Sequence, residues 1–487
     1  MEARDVVAAG TRRVPAAAER AWRLLADPLH WPRVLRFPSR VDLRVRTGER
    51  GEFGFSLGDG TVTAVEVRWR HAERRVRVVV SGAEVLTCAV RESGEGTQLV
   101  WECAAHELAN ALADALAAAA WPVAEAVEPA ADPVSAARKL APVLERRAGE
   151  RDDANALPGD VVDLLRGHGL FRMGLPSALG GAPASGATVL AAVEELSRAD
   201  PATGWTALIG NQSAYLAWLA REDAERLAGT DGAVVTAGST AIRGTGVREG
   251  DTYVLTGRWA FNSGCLHADL LMGGFHDPVD GTARLAFFPA SSATVHGTWH
   301  VAGLRASGSH DVEVSGLVVP SAHTAALYSA PAAFGEALHR LTPYTIQAVL
   351  MLGFPIGVAR RALDESLAVA DTGAHVDAFA RAETELAAAR ELAGAAVGDL
   401  LACVEAGGDG TPRQAALPAL ALRHAVDTAK RVVTTAVRLG GAAAAEGSAL
   451  HRCFTDIHAA GQHIAVSDDM IRTYAERYFG LKTAPSR

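Results

Sequence analysis

Thr256-Gly257-Arg258-Trp259-Ala260-Phe261-Asn262-Ser263-Gly264 is the stretch on which the fold of this chain turns. It continues a strand-like run from Thr252 and ends in a Ser-Gly pair of the kind that closes a turn. Outward from it, strand rhythm persists from Ala233 to Pro320, through Ala283–Phe288 and Val312–Val318. On both flanks the spacing becomes helical. Before it, Leu140, Val143 and Leu144 share one face, and Val161, Leu164 and Leu165 follow the break at Leu157-Pro158-Gly159. Asp200-Pro201 reads as a helix start, with Trp205, Leu208 and Ile209 opening the next apolar face. Beyond residue 335 the chain is helical, with an Ala-rich pair at 376–406 and 412–440 parted by Gly407-Gly408-Asp409-Gly410-Thr411-Pro412. Gly244-Thr245-Gly246 with Gly250 departs from a dinucleotide fingerprint, its last glycine one place late, and reads as a hairpin turn.

The first 105 residues have another character. They carry 17 basic and 14 acidic side chains, against 30 and 42 in the remainder. Val65/Val67/Trp69, Val76/Val78/Val80 and Leu99/Trp101/Cys103 alternate with polar neighbours, the period of strands with one buried face. Turn clusters such as Gly58-Asp59-Gly60 and Ser93-Gly94-Glu95-Gly96 separate them. One helix is expected after Val14-Pro15, ending at Asp27-Pro28, and another from about Glu107 to Ala120. Pro129 to Pro133 reads as a linker.

The whole chain has 487 residues, 49% hydrophobic and 21% charged, with net charge −9. That excludes a disordered or fibrous chain and argues against nucleic acid, whose binding starts from a basic field. Cys88, Cys103, Cys265, Cys403 and Cys453 are widely spaced with no zinc pattern, so thiols in a cytoplasmic protein and no metal site are expected. The most apolar run, Ala111 to Val127, is broken by Asp114, Pro122 and Glu125, and no membrane span is expected.

The front stretch Val14-Pro15-Ala16, Ala21-Trp22-Arg23-Leu24-Leu25-Ala26-Asp27 and His30-Trp31-Pro32 resembles the START-like polyketide cyclase and lipid-binding family. That implies a helix-grip domain at 1–128, either around a pocket for a hydrophobic ligand or as a filled docking module. Behind it, Gly169-Leu170-Phe171-Arg172-Met173-Gly174-Leu175-Pro176, the Thr256–Gly264 stretch and Gly303-Leu304-Arg305-Ala306-Ser307-Gly308-Ser309 resemble the acyl-CoA dehydrogenase fold. The fold class expected is therefore multi-domain α+β, with a helical subdomain at 134–230, a β subdomain at 231–325 and a C-terminal four-helix bundle at 330–487. This resemblance implies a flavin between the β subdomain and the bundle, and a homodimer or homotetramer.

Dehydrogenases of that fold place a carboxylate base on the late helix, but Arg452 to Ile464 holds no glutamate. Asp456-x-x-Ala459-Ala460-x-x-His463 and Trp259-x-Phe261-x-Ser263-Gly264 instead resemble the oxygenase component of two-component flavin monooxygenases. These take reduced FMN from a separate flavin reductase, add O2 to form a C4a-hydroperoxyflavin, and pass one oxygen to an aromatic substrate. The resemblance implies Trp259, Asn262, Ser263 and Asp456 at the cofactor, Ser263 as the hydroxyl beside flavin N5, and His463 as base for a phenol. Ser213 stands where aromatic hydroxylases of this group carry a second histidine, which implies Asn211, Ser213 and Tyr215 along the pocket for an aromatic or polyketide-like substrate of secondary metabolism. Asp456 and His463, seven apart and about two helical turns distant, are not expected to pair, and His458 and His463 are wrongly spaced for a metal. Two other functions fit the same residues: a desaturase that keeps FAD bound, and a flavin-free cyclase or ligand-binding scaffold.

Overall fold

The computed structural model describes residues 132–148, 155–182, 184–229, 234–279 and 281–481, together with the backbone of the front strands. The chain divides into two units, Met1–Ala126 and Val127–Arg487. The front unit contributes strands β1 (Ala8–Arg13), β2 (Val41–Asp42), β3 (Glu52–Leu57), β4 (Val62–Arg70), β5 (Arg75–Val80), β6 (Ala83–Ser93) and β7 (Gly96–Cys103). They form one sheet in the order β1-β7-β6-β5-β4-β3-β2. The pairs are antiparallel, with Val67 opposite Val78 and Trp101 opposite Cys88. The two helices expected in this unit and the His30-Trp31-Pro32 stretch lie outside the described residues.

In the second unit local signals set the helix starts. Asp132 accepts hydrogen bonds from the backbone N–H groups of Val134 and Ser135 and caps α1 (Pro133–Arg147), so Pro133 begins a helix instead of ending a linker. α2 (Gly159–Gly167) and α3 (Gly186–Ala199) follow. Asp200 then caps α4 (Pro201–Gly210) through the N–H of Thr203 at 2.8 Å. A buried 3-10 segment, Asn211–Trp218, and α5 (Arg221–Ala228) complete this part.

A second sheet comprises β8 (Thr236–Glu249), β9 (Thr252–Asn262), β10 (Leu270–His276), β11 (Ala283–Pro289), β12 (Thr294–His296), β13 (His310–Pro320) and β14 (Thr324–Ala325). Its order is β12-β13-β9-β8-β10-β11-β14. The expected hairpin turn at Gly244-Thr245-Gly246 is instead the interior of β8. Those glycines are required because a Cβ at Gly244 would stand 2.8 Å from the Trp259 ring, and one at Gly246 would stand 2.4 Å from Phe275.

The closing helices are α6 (Pro343–Met351), α7 (Gly353–Val369), α8 (Val376–Glu405), α9 (Pro412–Gly440), α10 (Ala449–Ala460) and α11 (Asp468–Tyr478). Thr411 and Gln414 form a reciprocal cap at the start of α9. Pro343–Val369 is long and apolar enough to cross a membrane, yet its most apolar window is 89% buried within the fold, as a core helix should be. Apolar side chains of the helices make one continuous core, and Tyr253, Trp259, Phe275 and Phe288 centre a second inside the β region.

Candidate active site

The end of β9 breaks strand geometry. Phe261 has φ +64° and Gly264 has φ +76°, so the chain reverses with Phe261 73% exposed and Ser263 tucked inward. Asn262 secures the reversal by donating its amide to the carbonyls of Trp259 and His310. Its Oδ1 is buried without a hydrogen-bond partner.

Ser263 Oγ receives the indole N–H of Trp205 at 2.9 Å and lies 2.7 Å from Ser309 Oγ. Ser309 Oγ lies 2.6 Å from Ser307 Oγ, and Ser307 donates to the Leu304 carbonyl at 2.7 Å. Each serine has one hydroxyl proton. Since that of Ser307 is committed to Leu304, Ser309 donates to Ser307, and Ser263 in turn donates to Ser309. Ser263 is left with an acceptor lone pair and no proton to offer elsewhere.

The loop bearing these serines is fastened to α10. Leu304, at φ +55°, gives its N–H to the buried Asp456 carboxylate. A Cβ on Gly303 would stand 2.0 Å from the Thr455 carbonyl, so only glycine permits this approach. Asp456, expected at the cofactor, anchors this loop.

Trp205 joins the two halves of the site. Its ring meets Phe354 edge-on at 5.1 Å and His463 at 5.6 Å. His463 follows α10, and its Nδ1 accepts the Ala465 N–H at 3.2 Å. With Nδ1 engaged as acceptor, the ring proton of the neutral imidazole is on Nε2. Burial lowers the pKa to about 4, so the ring is neutral near pH 7. In this tautomer His463, expected as the phenol base, presents an N–H donor at Nε2. Burial pushes the thiol of Cys265, two residues after Ser263, up to about 12, which makes it unreactive.

The remaining residues expected at the site, Trp259, Asn211, Ser213 and Tyr215, are buried. Trp259 is 1% exposed, donates to the Gly274 carbonyl at 2.9 Å and packs in the β core. Asn211 spends its side chain on the Gly174 N–H and the carbonyls of Leu170 and Ala207, tying loop to helix. Ser213 and Tyr215 are buried, Tyr215 donating to the Pro343 carbonyl and Ser213 Oγ having no hydrogen-bond partner. Trp205 has no local signal as a site residue, since its contacts to Ser263 and His463 cross the chain, while Ser307 and Ser309 stand in a motif that assigns them no role.

A flavin needs apolar cover for its rings and polar partners at its edge. The exposed Phe261 and Ile464, 73% and 71% accessible, flank the Ser263 acceptor and the His463 donor in sequence, and this donor set fits that group.

Residues 134–223 and 350–468 match the N-terminal and C-terminal domain models of acyl-CoA dehydrogenases, and residues 6–145 match the polyketide cyclase / dehydrase and lipid transport model. The chain is 30% identical to the flavin-dependent monooxygenase oxygenase subunit HsaA of Rhodococcus jostii, over 69% of this chain and 94% of that protein. The chain belongs to the flavin-dependent monooxygenase family. The oxygenase is also 28% identical to the indole-3-acetate monooxygenase of Acinetobacter baumannii, over 69% of this chain and 91% of that one. Among solved structures, the 3-HSA hydroxylase of Rhodococcus sp. RHA1 is 25% identical with a TM-score of 0.68, covering 73% of the oxygenase and 98% of that chain. XiaF from Streptomyces sp., solved with FADH2, shares the fold at a TM-score of 0.66 over 73% of the oxygenase and 97% of its own chain, at 23% identity.

Proposed function

We propose that the oxygenase takes reduced FMN from a separate flavin reductase and inserts one atom of O2 into an aromatic or polyketide-like substrate beside Ser263 and His463, in the cytoplasm and as a homodimer or homotetramer. The observation that carries this reading is the Trp205-centred array of an oriented hydroxyl acceptor and a neutral imidazole donor, each close in sequence to an exposed apolar side chain. Reduced flavin, when bound, supplies the two electrons that let one oxygen atom reach the substrate while the other leaves as water.

The chain's own residues do the rest. With reduced flavin bound, Ser263 would hold the cofactor through its free acceptor lone pair and would slow proton loss from the flavin N–H. The Nε2–H of His463 donates to an oxygen in the reaction zone, where a low dielectric strengthens the bond. Phe261 and Ile464 cover the rings and exclude water. Relatives support the substrate class: their names specify indole-3-acetate and resorcinol, both aromatic. The match of residues 6–145 to polyketide cyclases supports a polycyclic substrate for the same pathway.

Anaerobic protein mixed with reduced FMN and then with oxygen should reoxidise the flavin far more slowly than free reduced FMN and release less hydrogen peroxide when indole or resorcinol is present. Reoxidation at the rate of free flavin, with stoichiometric peroxide under every condition, sinks the proposal. A protein that purifies yellow with tightly held FAD favours the desaturase instead.

A further inference from the structure

We infer that the serine chain Ser263-Ser309-Ser307 sets the redox state of the flavin that the oxygenase accepts, with Ser307 and Ser309 as positioning residues. This rests on the reading that Ser263 sits at flavin N5. The chain runs in one direction: Trp205 Nε1–H to Ser263, Ser263 to Ser309, Ser309 to Ser307, and Ser307 to the Leu304 carbonyl. Its direction is dictated at the far end, because a carbonyl only accepts. At the near end the indole N–H only donates, so it blocks one lone pair of Ser263 and cannot take the proton back. All three serines are 5% exposed or less, so water does not reorganise them.

The consequence is a site of fixed polarity. Oxidised flavin has a bare N5 lone pair, which would meet the Ser263 lone pair without a proton between them. Reduced flavin carries hydrogen on N5 and completes the bond. The same nitrogen thus changes from repelled to held on reduction. Polarised hydroxyl chains strengthen each member, and the carbonyl that ends this one is itself held, since the Leu304 N–H is bonded to Asp456 and the Leu304 carbonyl also receives the Trp299 indole N–H at 3.0 Å. An oxygenase supplied by a separate reductase gains from this polarity, because it does not retain the spent, oxidised cofactor.

Breaking the chain at either downstream serine frees a proton upstream. In Ser309→Ala, Ser263 has no acceptor at 309 and can turn its proton to the flavin side. In Ser307→Ala, Ser309 loses its acceptor and can donate to Ser263 instead, which releases the Ser263 proton in the same way from one residue further off. The test is equilibrium binding of oxidised FMN, followed by quenching of flavin fluorescence, and of reduced FMN, followed anaerobically by quenching of tryptophan fluorescence. In both alanine variants oxidised FMN should bind roughly tenfold more tightly, the worth of one hydrogen bond gained in place of a repulsion, with reduced FMN bound no more tightly than in the wild type. Ser309→Thr, which keeps the hydroxyl, should retain the wild-type ratio. Unchanged discrimination in both alanine variants, with reduced FMN still bound, overturns the role of the chain while leaving the flavin site standing. Failure of the unaltered protein to bind reduced FMN overturns the flavin reading and this inference together.

Discussion

The Trp205 indole nitrogen donates to Ser263 Oγ at 2.9 Å across 58 residues of sequence, joining a helix of the first helical segment to the end of β9. The same ring lies edge-on to His463, so one side chain positions both polar groups of the site. Trp205→Phe keeps the packing and removes the donor. It should cost about 1 kcal/mol in stability and raise hydrogen peroxide released per flavin oxidised, read by a peroxide assay beside a urea melt. An unchanged peroxide yield would separate Trp205 from the chemistry.

Asp456→Ala removes the acceptor for the Leu304 N–H, leaving a buried donor unsatisfied on a residue held at positive φ. A loss of about 2 kcal/mol is expected, together with weaker binding of reduced FMN because the serine loop loses its anchor. Calorimetry and anaerobic titration report the two effects. Full flavin affinity in a destabilised variant would confine Asp456 to folding.

Gly303→Ala places a methyl group within 2.0 Å of the Thr455 carbonyl, a contact that requires backbone to move. The expected loss is about 1–3 kcal/mol, seen as a lower melting temperature, with the serine loop displaced. Wild-type stability would show that the loop and α10 are less closely joined.

His463 is neutral in the fold with a pKa near 4, while the free side chain titrates near 6.5. Between those values the unfolded chain takes up a proton that the folded chain does not, so stability falls as pH drops from about 6.5 toward about 4. His463→Gln should remove this acid sensitivity, measured as the difference in urea midpoint between pH 7 and pH 5. The coupling of oxygen use to product should be flat from about pH 5.5 to 8, because the Nε2–H donor persists throughout. A limb at pH 6.5 lost in His463→Gln would restore histidine as the base.

Trp259→Phe tests whether the ring that packs in the β core also serves the cofactor. Losing the bond to the Gly274 carbonyl and part of a buried ring should cost about 1–3 kcal/mol and leave affinity for reduced FMN within about twofold. A large loss of flavin affinity at unchanged stability would return Trp259 to the cofactor.

Much of this molecule is written locally. Helix starts at Asp200 and Thr411 follow from side chains that cap the next turn, and the change from period 3.6 to period 2 and back marks helices, sheet and helices without any long-range information. The stretches around Thr256–Gly264 and Gly303–Ser309 also point to the family by themselves. The tertiary structure alone decided where each tryptophan packs. Trp259 and Trp205 are both aromatic residues in apolar runs, and only packing sends one into the β core and the other against Ser263. It likewise decided that Asp456 holds a backbone amide 152 residues away and that the Ser263 hydroxyl meets that of Ser309, 46 residues on. Hydrogen-bond direction is a property of partners, and these partners meet only when distant segments fold together.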